Sequence, residues 1–97
     1  MFEHEKFSWD KDKDKINFHK HGVWFDEAKE VFADERVVII PDDVHSQYEE
    51  RFVAIGEITT PRLLMVCHCY RENNIIRIIS ARKPTKQEIN IYYGGLV

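Results

Sequence analysis

The chain has 97 residues, enough for one domain around one core, and residues 1–97 are read as that domain. At 43% hydrophobic and 12% aromatic it is too apolar to be a disordered chain. A formal net charge of −3 excludes the broad basic surface common in nucleic-acid binders, so any such site has to be a local cluster. Charge is in fact segregated. Residues 26–50 are rich in acids, whereas residues 62–86 carry Arg62, Arg71, Arg77, Arg82, Lys83 and Lys86 against Glu72. No stretch is long and apolar enough to cross a membrane, and no signal-peptide pattern opens the chain. Cys67 and Cys69 make no secreted disulfide framework, and the reading is a cytoplasmic protein.

The elements follow in chain order. Residues 1–6 are a polar lead-in, expected to be loose. Phe7-Ser-Trp9 alternates and predicts a short edge strand. Asp10 caps a helix to about Lys20, and Gly22 stops it. A second short helix starts at Phe25, with Asp26 as its cap and Ala28, Val31 and Phe32 on its apolar side. Trp9, Phe25, Ala28 and Phe32 are assigned to the core. Val37–Ile40 is a strand stopped by Pro41, and a polar loop with Asp42, Asp43 and His45 runs to Gln47. Strands follow at 51–58 and 63–70, joined by Thr59-Thr-Pro61. Arg71–Asn74 turns the chain into a last strand at 75–81. A final helix spans 86–93 and ends at Gly94-Gly95. Consecutive strands on short turns predict an antiparallel meander with helices on one face, an α+β fold.

The stretch Ile75–Glu88 carries the most chemistry. It begins as a buried β-branched strand, delivers Arg77, Arg82 and Lys83, and closes at Pro84. Thr85-Lys-Gln-Glu88 is a capping box. Arginine's planar fork suits phosphate, and Arg82 is held from both sides at a strand-to-helix corner. Its head group reads as exposed, so Arg82→Ala is expected to remove chemistry and leave folding intact. The competing reading is a strand with a charged, solvated exit.

Arg77 and Arg82 lie five residues apart, so a regular strand puts them on opposite faces, and a shared site requires a bulge near Ser80-Ala81. If the turn pairs Tyr70 with Ile75, His68 lies opposite Arg77 as an acid–base and phosphate pair; the alternative is a histidine at the core edge. Glu50-Arg51 supplies either a base and a phosphate ligand or a surface ion pair. Tyr92 and Tyr93 offer a base-stacking ring, although helical spacing favours one of them as core. Cys67-His68-Cys69 suggests zinc, but alternation along a strand sends His68 to the opposite face from the cysteines. No metal or other cofactor is expected.

Two stretches carry a family resemblance. Arg77-Ile-Ile-Ser-Ala-Arg82-Lys83 with Thr85-x-x-Glu88 resembles the C-terminal signature of BrnT toxins. Phe7-x-Trp9-Asp10-x-x-Lys13-x-x-x-Asn17-x-x-Lys20-His21-Gly22-Val23-x-Phe25-x-x-Ala28 resembles their opening, and Glu50-Arg51-Phe52 also fits. The resemblance implies a RelE-like, metal-independent ribonuclease of a type II toxin–antitoxin system, inhibiting translation and growth. It implies neutralisation by a BrnA-like antitoxin and DNA contact only through that partner. His68, Glu50, Arg77 and Arg82 become the catalytic candidates, and Arg51, Arg71, Lys83, Lys86 and Tyr92 the RNA-binding ones. A non-catalytic module binding a small DNA-binding partner remains the alternative. The net acidity and a tail less basic than the family pattern are departures from it.

Overall fold

The structure is a computed structural model and describes residues 6–94. The expected loose lead-in lies outside them save for Lys6, and so does Gly95. Five strands form one sheet: β1 (Lys6–Ser8), β2 (Val38–Pro41), β3 (Phe52–Ile58), β4 (Arg62–Arg71) and β5 (Ile75–Arg82). Their spatial order is β1-β5-β4-β3-β2. The central strand is β4, and Leu64 to Cys69 are buried without interruption because both faces of the sheet are covered there. The meander β2-β3-β4-β5 is antiparallel as the short turns require. The expected antiparallel sheet needs one correction: β1 joins the edge beside β5 in parallel, so the sheet is mixed. A helical excursion separates β1 from the other strands, which frees its direction from the hairpin rule.

Three short helices complete the fold: α1 (Lys11–His21), α2 (Phe25–Ala28) and α3 (Lys86–Tyr92). The Asp10 carboxylate accepts from the amides of Asp12 and Lys13, and Gly22 ends α1 at φ 72°, where only glycine is unstrained. The cap of α2 differs from the expected Asp26. Asp14 reaches over from α1 and accepts from the Phe25 amide at 2.8 Å. Thr85 and Glu88 form the expected capping box of α3.

Val23, Phe25, Ala28 and Val31 pack on Ala54, Leu64, Val66, Ile78 and Ala81, with Phe7, Trp9 and Phe32 around them. A 3₁₀ turn at Lys29–Ala33 lies so close to β3 that a Cβ on Gly56 would stand 2.9 Å from the Val31 carbonyl oxygen. The opposite face is not bare. Ile55 alternates with Ala54 and Gly56, is fully buried, and lies under α3. The expectation of helices on one face therefore fails for α3, whose short link from β5 drops it on the other side.

A bulge in β5 sets the arrangement of charge. Cys67 pairs with Ser80 and His68 with Ile78, so Ile79 is the extra residue. Tyr70 pairs with Ile76 rather than Ile75. The expected pairing of His68 with Arg77 is thus replaced: Arg77 lies opposite Cys69, and His68 opposite Ile78. The turn absorbs the difference through Asn73 and Asn74, both at positive φ.

Beyond Ser8 the outer edge of β5 has no neighbouring strand, and Asn17 of α1 takes that place. Its amide donates to the Ala81 carbonyl at 2.9 Å and accepts from the Ala81 amide at 3.0 Å. The same amide nitrogen donates to Val23 O at 2.9 Å. Asn17→Ala leaves three buried backbone groups unpaired, the Ala81 amide and the Ala81 and Val23 carbonyls, and is expected to cost roughly 2–4 kcal/mol. Urea denaturation measures this cost, and hydrogen exchange should show the Ala81 amide losing protection first.

Candidate active site

The side of the sheet that carries α3 also carries the arginines. Met65, Cys67, Cys69 and Arg71 share that face of β4 by alternation. Across from them on β5 stand Arg82 opposite Met65, Ser80 opposite Cys67 and Arg77 opposite Cys69. Without Ile79 as an extra residue, Arg77 and Arg82 would face apart. The bulge that a shared site requires near Ser80-Ala81 is present one residue earlier, at Ile79, and Arg51 precedes β3 on the same side.

The loop from β2 to β3 is closed at its base. The Asp42 amide donates to Arg51 O at 2.9 Å, the Ser46 hydroxyl donates to Asp42 O at 2.7 Å, and the Arg51 amide donates to Ser46 Oγ at 2.9 Å. This closure sets Asp42, His45 and Arg51 beside the sheet. Together with Cys67, Ser80 and Arg82 they line a cleft of about 210 Å³. Arg51 Nε is buried and has no hydrogen-bond partner among the described residues. Its nearest carboxylate is Glu49, 3.9 Å away.

Arg82 is fixed more tightly than its exposed reading implied. Its guanidinium makes two parallel bonds to the Glu88 carboxylate, at 2.9 and 3.1 Å, and a third to the Lys83 carbonyl at 3.0 Å. Burial raises the Glu88 pKa, but hydrogen bonds from Arg82 and Thr85 outweigh it and hold the carboxyl below its ordinary value. The capping glutamate of α3 is thus also the arginine's anchor. The remaining cations are spread along the same face. Arg71 pairs with Glu49 at 3.0 Å, and Arg77 donates to Ser8 Oγ at 3.4 Å near Asp10. Lys83 and Lys86 are exposed beside the corner.

His68, Glu50 and Tyr92 lie apart from the cleft. His68 is fully buried on the helix-covered face, edge-on to Phe32 at 4.8 Å. Its Nδ1 faces the Val66 carbonyl at 3.2 Å and its Nε2 the Tyr70 hydroxyl at 3.0 Å. Burial lowers its pKa to about 4, so the ring is neutral. Of the two readings offered by sequence, the core histidine is the one its surroundings match. Glu50 is exposed outside the cleft lining, and the carboxylate that meets the arginines is its neighbour Glu49. Tyr92 is buried, and its hydroxyl donates to Asp34 at 2.6 Å, which pushes its pKa up to about 12. Tyr93 is the exposed ring of the pair. Cys67 and Cys69 are buried on the arginine face, away from His68, and burial raises both thiol pKa values, that of Cys67 to about 11. Such thiols are inert.

Sequence reasoning passed over Asp42 and His45 as loop polarity. The His45 Nδ1 stands 3.0 Å from Asp42 Oδ2, and the ring lies at the cleft. The available signal was the Asp42-x-x-His45 spacing followed by Arg51, which one tight turn brings together.

A five-stranded mixed sheet with an arginine-lined face defines a small α+β protein. The sequence model of the ribonuclease toxin BrnT, of type II toxin–antitoxin systems, matches residues 9–88, and the chain belongs to that family. Membership implies an antitoxin partner. The crystal structure of the Brucella abortus ribonuclease toxin BrnT shares the fold, with a TM-score of 0.66, 23% identity and coverage of 84% of this chain and 97% of that one. No curated protein matches the chain.

Two measurements check this geometry. The His68 pKa is lowered on folding from 6.5 to about 4, so the unfolded chain binds the proton first. Stability is therefore full above pH 6.5 and falls as the pH drops, by on the order of 2 kcal/mol between about pH 6.5 and 5. In His68→Gln that slope should vanish in urea titrations across the same range. Arg82→Ala should lower the urea midpoint, corresponding to a loss of about 1 kcal/mol of stability, because the partly exposed ion pair that anchors α3 is lost.

Proposed function

We propose that this protein cleaves RNA without a metal ion at the cleft between Arg51 and Arg82, and thereby stops translation and growth until a BrnA-like antitoxin binds it. The observation that carries the reading is the meeting of these two arginines, one with an unpartnered buried Nε, over Ser80 at the edge of a rigid sheet. Cleavage by transesterification needs few parts. The ribose 2′-hydroxyl attacks the adjacent phosphorus, a base takes its proton, and cations stabilise the charge that gathers on the phosphorane oxygens. Arg51 and Arg82 hold the scissile phosphate. Arg71 and Arg77, on the same face, guide the flanking backbone, with Lys83 and Lys86 at the α3 corner. His68 supports the fold rather than the proton transfer, and Glu50, exposed outside the cleft lining, does not reach the site. Any contact with DNA comes through the antitoxin, an RNA target implies a cytoplasmic protein, and residues 1–97 act as one domain.

Expression of the chain alone is expected to arrest growth with loss of cellular RNA, and co-expression of the cognate antitoxin to restore both. The purified protein should cut single-stranded RNA in EDTA. Arg51→Ala should lower the rate by on the order of 10²–10³-fold, the effect of removing one preorganised donor. With few phosphates contacted, RNA affinity should fall with salt on a log–log slope of roughly −1 to −2. Abundant folded protein with normal growth and intact RNA returns the chain to the non-catalytic binding reading.

A further inference from the structure

We propose that His45 is the general base of RNA cleavage and that Asp42 holds it in the active tautomer; the assignment deepens the cleavage reading above and rests on it. The pair is built into the loop. His45 Nδ1 stands 3.0 and 3.2 Å from the two Asp42 carboxylate oxygens. The Asp42 side chain is 14% exposed and the His45 side chain 63%, so the carboxylate is seated and the imidazole faces outward. The backbone closure at Ser46 and Arg51 fixes the Asp42 end. An imidazole that donates from Nδ1 to a carboxylate keeps the lone pair of Nε2 for a substrate proton.

Position separates this pair from an ordinary surface ion pair. His45 lines the cleft shared by Arg51 and Arg82. It also lines a second cleft of about 270 Å³, again with Arg51, in which Tyr48 is 97% exposed. His45 and Arg51 thus form the partition between two concave sites. A dinucleotide step fits this layout, with its phosphate at the partition and a base stacked on Tyr48. In the step, Nε2 takes the proton from the 2′-hydroxyl and the 2′-oxygen bonds to phosphorus. The bond from phosphorus to the 5′-oxygen breaks, and water protonates the leaving oxygen. The products are a 2′,3′-cyclic phosphate and a 5′-hydroxyl end, with no net redox change.

The titratable and charged groups that line the two clefts with His45 are Asp42, Tyr48 and Glu49 of its loop, Arg51 before β3, Cys67 of β4 and Arg82 of β5. The test uses the purified full chain and a fluorescent single-stranded RNA carrying one ribonucleotide at each cleaved step. His45→Ala should lower the rate at saturating RNA by about 10²–10⁴-fold, leave RNA affinity within about twofold, and regain activity with added imidazole. Asp42→Asn should lower the rate at least about tenfold, because the wrong tautomer is favoured. His45→Ala that stays folded by circular dichroism and cuts at the parental rate overturns the assignment while leaving the cleavage reading in place. Activity lost together with RNA affinity, and not rescued by imidazole, also overturns it and makes His45 a binding residue. A parent that cuts no RNA overturns both.

Discussion

The bonds between the Asn17 side chain and the backbone of Ala81 hold together everything that matters for the site. β5 is an interior strand only as far as Arg77, where β1 stops. Past that point its outer backbone groups face no strand, and a bulge has already disturbed the ladder. An asparagine amide presents one donor and one acceptor in the geometry of a peptide, so Asn17 serves as a single residue of β-strand. It is buried, and no water competes for those bonds. The bulge, the Arg82 corner and the start of α3 all hang from a strand end secured in this way.

That mechanical fact resolves an electrostatic difficulty. A chain of net charge −3 has no general attraction for nucleic acid. Arg51, Arg71, Arg77 and Arg82 nevertheless share one face; for Arg77 and Arg82 regular alternation along β5 forbids this, and a single extra residue permits it. Glu49 and Glu88 lie among them as anchors. Each carboxylate offsets part of the repulsion between the cations and holds a guanidinium in place. The cost is a weaker net field; the gain is guanidinium groups held in fixed positions.

The histidines show how burial decides chemistry. His68 is the residue whose sequence neighbourhood, between two cysteines and near arginines, draws attention. Yet its face of β4 is the one covered by Phe32 and Phe52, both ring nitrogens are occupied, and it stays neutral. His45 sits in an unremarkable polar loop, and there a carboxylate and two arginines meet it at an open cleft. Its ring is largely exposed, whereas that of His68 is fully enclosed.

Local signals in the sequence determined the elements almost to the residue. Asp10, Gly22, Thr85 and Glu88 act through their own backbone neighbourhood, so the caps and stops of α1 and α3 were legible from spacing alone. The β-branched runs and short turns determined the antiparallel meander, and two extended motifs pointed to the family that residues 9–88 match. Tertiary structure decided everything that depends on which face a side chain takes. The parallel docking of β1, the placement of α3 across the sheet, and the Asp14 cap of α2 join residues far apart in the chain. A one-residue change in pairing at Tyr70 moved His68 away from Arg77, and the extra residue Ile79 moved Arg77 and Arg82 together. Strand pairing has a side-chain period of two, so a single residue reverses a face, and no local signal in the sequence records that shift.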